Sequence, residues 1–342
     1  MKSIVVEQPH QIAVIERPLL DPAAGQVRVR VRYAGICGSD LHIYHGQNPF
    51  AVYPRVIGHE FVGRIDAVGS GVEASRIGEL VAVDPVVSCG HCYPCSVGRP
   101  NVCNHLEVYG VHRDGGFSEA VCVPAGNAYV IPESIAETCA AIIEPYAVAA
   151  NVLNRTGVFQ NDVALVYGAG PIGLTVVEVL KGVYGVRTIV TDRLDERLAL
   201  ATACGADEVV NTAREPITEA LKRLGVERGP TLIIDAVCHP AILEEAVRLA
   251  APAGRIGLLG FSSEPSAIPQ QELTKKELSL HASRLNCAMF PRVIEWVTKG
   301  LVRPEKIITH RIDFRNVEQA FEIVQKDPRN SCKVLLDFAP GD

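Results

Sequence analysis

The residues best suited to chemistry lie close together, between Gly35 and Glu60. The sequence reads Gly-Ile-Cys-Gly-Ser-Asp-Leu-His over 35–42 and Gly-His-Glu over 58–60. It offers a thiol at Cys37, a hydroxyl at Ser39, imidazoles at His42 and His59, and a carboxylate at Glu60. Cys37, His59 and Glu60 are donor types that a borderline-soft cation such as Zn²⁺ accepts. Three protein ligands leave one position for water or substrate, which is the catalytic arrangement. The competing reading makes Cys37 a small buried hydrophobe and His59 and Glu60 a hydrogen-bonded polar pair.

A second donor set is Cys89, Cys92, Cys95 and Cys103, spaced C-x2-C-x2-C-x7-C and broken by Gly90, Pro94, Gly98 and Pro100. That density of breakers predicts a loop. Four thiolates at this spacing can close a tetrahedron around one Zn²⁺ with no open position, so that metal replaces the core a small lobe lacks. An iron–sulfur cluster uses the same donors. A dithiol redox role lacks the βαβ context it requires. Glu144 is a carboxylate in an otherwise apolar run, and burial obliges it to find a metal, a cation or a proton. The alternative is a solvent-facing glutamate at a helix start. Pro145 favours an extended Glu144, with a helix over 146–153.

A third constellation begins at 163–167, a continuous apolar strand. Gly168-Ala169-Gly170-Pro171-Ile172-Gly173 follows and opens a helix. The next strand, 188–191, ends at Asp192, 24 residues after Gly168. In that context the glycines supply a tight turn, close approach to a pyrophosphate and close helix–strand packing. Asp192 would accept hydrogen bonds from the adenosine ribose and repel a 2′-phosphate, favouring NAD over NADP. Arg193, directly after it, weighs toward NADP.

The elements that must position these groups follow from periodicity. Strands are expected at 4–6 and at 27–33, where Val and Arg alternate at period two. Short apolar runs with frequent glycines continue to about 130, a compact β domain. Apolar strands at 208–210, 232–235, 255–259 and 278–280 alternate with helical segments, giving six strands in a parallel sheet covered on both faces. Helices at 291–299 and 317–325 and strands at 307–310 and 333–338 hold too little apolar surface for a further domain and must pack onto an earlier part. The fold class is α/β.

Composition limits the alternatives. The chain has 342 residues, 48% hydrophobic and 21% charged, with a net charge of −6. About two soluble globular domains are expected. Without a Lys/Arg-rich run, neither nucleic acid nor an anionic membrane is expected as a partner. The longest apolar stretch, near 163–186, carries Glu178 and Lys181, and residues 1–14 do not read as a signal peptide. A cytoplasmic location is expected. Eleven cysteines cannot all pair, and in a reducing compartment clustered cysteines point to metal.

In this order, the motifs resemble the zinc-dependent medium-chain alcohol dehydrogenase family over essentially the whole chain. Gly58-His59-Glu60-x2-Gly63-x5-Gly69 is similar to its zinc signature, and the four-cysteine loop to its structural-zinc lobe. Cys37-Gly38-Ser39-Asp40, Glu60 and Ile143-Glu144-Pro145 resemble the polyol branch of sorbitol and threonine dehydrogenases. The stretches 83–93 and 260–265 resemble bacterial starvation-sensing-type and sugar-acid 5-dehydrogenases. The resemblance implies a GroES-like catalytic domain over 1–150, a Rossmann domain over 151–283, and a segment 284–342 completing the first. It implies one catalytic and one structural Zn²⁺ per chain, NAD more than NADP, and a homodimer or homotetramer. Glu144 stands where alcohol dehydrogenase proper has a second cysteine, and in the polyol branch such a glutamate serves directly or through water. Gly78-Glu79 replaces the usual Gly-Asp.

The expected reaction is reversible oxidation of a secondary alcohol, with Ser39 bonding the substrate oxygen and His42 passing its proton to solvent. Turn hydrogen bonding is the plainer role for these two residues. Arg284 sits where the branch places a substrate-facing arginine, which suits a carboxylate or several hydroxyls. Tyr44 and His112 are weaker candidates for the pocket wall. A hexonate such as gulonate, idonate or galactonate is the expected substrate, with a neutral polyol or L-threonine as alternatives. A regulatory protein that binds NAD and zinc is a reading of another class; the intact set Cys37, Ser39, His42, His59 and Glu60 argues against it. The cysteine loop and Gly-His-Glu exclude a zinc-free quinone reductase of the same fold.

Overall fold

The structure is a computed structural model and describes residues 1–339. The described residues divide into two compact units, the first comprising residues 1–144, 286–298 and 308–339 and the second residues 145–285 and 299–307.

The alternation at 27–33 produces the central strand of the first unit, Gln26–Gly35, which buries Val27, Val29, Val31 and Tyr33. Its antiparallel neighbours are Glu60–Val68, Ala120–Pro124 and Lys333–Asp337. Gly35 is in register with Glu60 on one side and Leu335 on the other. The last strand of the chain therefore lies beside the strand that leads into Cys37. It also pairs in parallel with Ile308–Asp313, so the C-terminal segment completes this sheet. The run 89–103, expected as a loop, contains two short helical turns, Tyr93–Ser96 and Pro100–Val102. Each has a proline in its first turn, where a missing N–H costs no intrahelical bond.

The second unit is a six-stranded parallel sheet. Its strands are Val163–Tyr167, Arg187–Asp192, Glu208–Asn211, Leu232–Asp235, Arg255–Leu258 and Ser279–Ala282, in spatial order third, second, first, fourth, fifth, sixth. The order reverses between the first and fourth strands, where doubly wound sheets bind ligands at the carboxyl ends of the strands. Leu165, Ile189, Ile233 and Ile256 are fully buried beneath the flanking helices, as a sheet covered on both faces requires. Helix Ile143–Thr156 includes Glu144 in its first turn, a correction to the extended conformation expected before Pro145. Proline near a helix start is tolerated because the N–H it lacks would be unpaired there anyway.

Candidate active site and metal centres

The catalytic cluster grows from three adjoining pieces of backbone in the first unit. Cys37 caps the short helix Gly38–Tyr44, and Glu60 opens the strand Glu60–Val68 directly after His59. Donor atoms of Cys37, His59 and Glu60 all lie within 4.8 Å of one another. Asp40, fully buried, ties the pieces together: its carboxylate accepts from the Cys37 N–H at 2.9 Å and the Gly58 N–H at 3.2 Å. The same carboxylate lies 3.6 Å from His59 Nδ1, which has no hydrogen-bond partner of its own. That arrangement suits a metal-binding histidine, whose far nitrogen is held by a carboxylate while the other faces the ion. His59 Nε2 lies 3.3 Å from Ser39 Oγ. His42 is exposed on the helix that carries Ser39.

The electrostatics point the same way. Burial alone would lower the His59 pKa, but Asp40 and Cys37 carry it well above the usual imidazole value. Burial lifts Glu144 to about 8, with His59 opposing and Glu60 adding to the rise. Burial thus favours the protonated form of Glu144, and a nearby divalent ion would favour the carboxylate. Lys333 was not singled out from the sequence. It is 1% exposed, and its ammonium donates to both Glu60 oxygens at 2.7 Å and to Ile36 O at 3.3 Å. The signal for it was available: one lysine opening the apolar run 334–336, the same anomaly that marked Glu144.

The four cysteines meet as the spacing requires. Sγ separations are 3.5 Å for Cys92–Cys95, 3.6 Å for Cys92–Cys103 and 3.4 Å for Cys103–Cys89. Thiolates at tetrahedral corners with Zn–S bonds of about 2.3 Å stand about 3.8 Å apart, so one ion fits with little adjustment. The Cys89 and His105 N–H groups point at Cys103 Sγ from 3.3 and 3.2 Å. The Cys92 thiol is drawn down to about 6 by the Asn104 and Cys95 backbone N–H groups.

In the second unit Gly168 has φ +91° and closes the turn after its strand, with its N–H bonded to Thr191 O at 2.8 Å. Gly170 caps helix Pro171–Gly182, with Pro171 at its first position and Ile172 next. A Cβ on Gly173 would lie 1.9 Å from Gly168 O, so only glycine permits this approach of helix to turn. Asp192 accepts from Ala169 N–H at 2.9 Å with one oxygen, and from Arg193 and Leu194 N–H at 2.7 and 3.0 Å with the other. The acid therefore leans onto the glycine turn. The exposed Arg193 follows it, and Arg197 brings its guanidinium within 3.8 Å of where a Gly170 Cβ would stand. The sequence had not marked Arg197.

The three residues expected at the substrate each have defined neighbours within their own unit. Arg284, also in the second unit, has its guanidinium 5.6 Å from the Phe261 ring centre, and Asn151 fixes its neighbours Ser283 and Leu285 by hydrogen bonds of 2.9 and 3.2 Å. In the first unit Tyr44 packs against His10 and Phe321. His112 accepts from Val108 N–H at 3.1 Å, closing a turn.

A unit built on a doubly wound sheet with a glycine turn, and a β unit carrying two metal-donor clusters, together define a zinc-binding dehydrogenase. The alcohol dehydrogenase GroES-like domain matches residues 23–133, and the zinc-binding dehydrogenase domain residues 171–299. The chain belongs to the zinc-type alcohol dehydrogenase family: it is an oxidoreductase that uses zinc and a nicotinamide dinucleotide. It is 60% identical over 340 residues to the starvation-sensing protein RspB of Escherichia coli K12, covering 99% of this chain and all of that one. A crystal structure of rspB from E. coli CFT073 with NADH superposes with a TM-score of 0.96 at 59% identity, covering 99% of each chain. More distant relatives include an L-threonine 3-dehydrogenase of Anaeromyxobacter sp. Fw109-5, 34% identical over 95% of each chain. An L-galactonate-5-dehydrogenase of E. coli K12 is 30% identical over 99% of each. Among the described residues, no helix is long and apolar enough to cross a membrane.

Proposed function

We propose that this enzyme oxidises a secondary alcohol of a hexonate, such as gulonate, idonate or galactonate, to the keto-acid with NAD. The observation that carries the chemistry is the convergence of the partly buried Cys37 with the buried His59 and Glu60. Cys37, His59 and Glu60 would hold the catalytic zinc, with Glu144 reaching it directly or through a water, and Cys89, Cys92, Cys95 and Cys103 would hold the structural one. Bound there, the catalytic ion supplies a Lewis acid for the substrate hydroxyl. Ser39 would hydrogen-bond the substrate oxygen and, as it accepts the hydroxyl proton, give up its own toward His42, three residues on along the same helix, which would pass a proton to solvent. The nicotinamide cofactor, when bound, would accept the hydride from the carbinol carbon, which becomes the carbonyl carbon. Gly168, Gly170, Pro171, Ile172 and Gly173 seat the pyrophosphate at the helix start, and Asp192 takes the adenosine ribose, with Arg193 at its edge.

Arg284 supports a carboxylate-bearing substrate, as does the likeness to L-galactonate-5-dehydrogenase. The likeness to L-threonine 3-dehydrogenases favours L-threonine as the second reading. Tyr44 and His112 carry no role in this proposal. The test is a panel of hexonates, hexitols and L-threonine with zinc-loaded enzyme, following reduced nicotinamide with NAD and NADP separately. Turnover of one hexonate with NAD, lost at least tenfold in kcat/KM in Arg284→Ala, is the expected result. Hexitols or L-threonine turned over faster than every hexonate would overturn the substrate assignment.

A further inference from the structure

Two imidazoles that belong to neither metal cluster face each other in the first unit. His10 stands in the turn between strands Lys2–Gln8 and Gln11–Glu16 with φ +65°, and His45 caps the end of helix Gly38–Tyr44. The two pieces of backbone are tied: His10 N–H donates to Tyr44 O at 2.7 Å, and the Tyr44 hydroxyl to His10 O at 3.4 Å. The rings meet Nδ1 to Nδ1 at 3.4 Å, with their centres 5.0 Å apart. The tautomer of His45 follows from its other nitrogen. Gln325 donates its amide N–H to Phe321 O at 3.2 Å, which turns the amide oxygen toward His45 Nε2 at 2.9 Å. Nε2 must then carry the proton, so Nδ1 of neutral His45 keeps a bare lone pair directed at His10. A ring fixed in this way by an outer hydrogen bond is the usual setting of a metal-binding histidine.

The separation of the two nitrogens decides between a hydrogen bond and a shared ion. At 3.4 Å it exceeds the range of about 2.7–3.2 Å that a hydrogen bond prefers. It matches two nitrogens on one tetrahedral ion, which bonds of about 2.05 Å would set about 3.3 Å apart. The cavity beside the pair, about 530 Å³, is lined also by Glu7, Glu318, Glu322 and Lys326. Lys326 is paired with Glu322 at 2.5 Å, whereas Glu7 and Glu318 form no ion pair among the described residues. The cavity therefore carries net negative charge, which favours a cation. We propose that His10 and His45 hold a further divalent transition-metal ion, Zn²⁺ or one of like tetrahedral preference, with water or carboxylate oxygen from the cavity completing its shell. His10 is exposed and His45 half-buried, so the ion is held loosely and is lost on dialysis. When bound it fastens the turn at His10 to the helix that Cys37 caps. This inference rests neither on the substrate nor on the zinc assigned to Cys37, His59 and Glu60.

The experiment is calorimetric titration of zinc chloride into zinc-loaded enzyme dialysed to constant metal content, with the parent, H10N and H45Q compared. Asparagine tolerates the left-handed backbone at position 10, and both substitutions remove an imidazole donor. The parent is expected to take up one further zinc per chain. H10N and H45Q are each expected to bind that ion at least tenfold more weakly, with the zinc retained after dialysis unchanged. Parent crystals soaked in zinc chloride are expected to show an anomalous-scattering peak between the two Nδ1 atoms. No uptake by the parent up to about 1 mM zinc would overturn the proposal. Uptake with the parent's affinity in both variants would overturn it as well, because the ion would then lie elsewhere, as would an anomalous peak on other side chains alone. If H45Q does not fold, H10N decides: a tenfold loss supports the site and parental affinity overturns it.

Discussion

Replacing Gly173 with alanine is expected to weaken nicotinamide dinucleotide binding while leaving both metal sites intact. The new Cβ would lie 1.9 Å from Gly168 O, against an ordinary carbon–oxygen contact of about 3.3 Å. Helix Pro171–Gly182 and the turn must therefore separate by about 1.4 Å. The obstacle is a backbone carbonyl, so no rotamer change relieves it. Nor can the turn slide away freely, because Gly168 N–H is bonded to Thr191 O at 2.8 Å and Ala169 N–H to Asp192 at 2.9 Å. Such overpacking costs about 1–3 kcal/mol of stability. Displacing the helix-start amides by about 1 Å from a pyrophosphate costs on the order of 10²-fold. Calorimetric titration with NADH should show Kd raised by between about 10- and 100-fold, while metal analysis shows the parent's zinc content. An alanine variant that binds NADH within twofold of the parent would refute the argument that this contact builds the site.

Three further outcomes follow from the geometry. Asp192→Ser removes the charge that would face a 2′-phosphate, and the NADP-to-NAD ratio of kcat/KM is expected to rise at least about tenfold, or about 1.4 kcal/mol; an unchanged ratio would place discrimination elsewhere. Cys103→Ser opens the cluster in which Cys103 Sγ meets two other thiols and two N–H groups. Zinc should fall from two per chain to one and the thermal midpoint by on the order of 10 °C, and retention of both ions would exclude a structural site there. Asp84 is buried and its pKa is pushed up from 3.8 to about 6, with the Val86 N–H and Asn286 bonds opposing. A carboxyl raised on folding costs stability above its folded pKa, and that cost fades as pH falls toward the unfolded value. It amounts to about 3 kcal/mol at pH 8. Asp84→Asn is therefore expected to raise the thermal midpoint more at pH 8 than at pH 5; an equal change at both would show that the carboxylate's charge is not what burial penalises.

Local spacing decided most of what was legible in the sequence alone. The four cysteines, the pair His59 and Glu60, the glycines of 168–173 and Asp192 lie within short runs, so the chain's own geometry brings them together. The six parallel strands could likewise be read, because strands buried on both faces are apolar throughout. Period-two alternation tells which face of a strand is buried, but not which strand lies beside it. Only the tertiary structure seats the C-terminal strand against Gln26–Gly35 and so brings Lys333 to Glu60, 273 residues away. Only folding buries Asp40 opposite His59, and buries Glu144 deeply enough to raise its pKa. Residues 299–307 group with the second unit although their flanks belong to the first, and no composition change marks that crossing. The sequence by itself determined which donor groups and glycines lie together in short runs. Strand pairing and burial, which depend on contacts far apart in the chain, decided what charge those groups carry and what holds them in place.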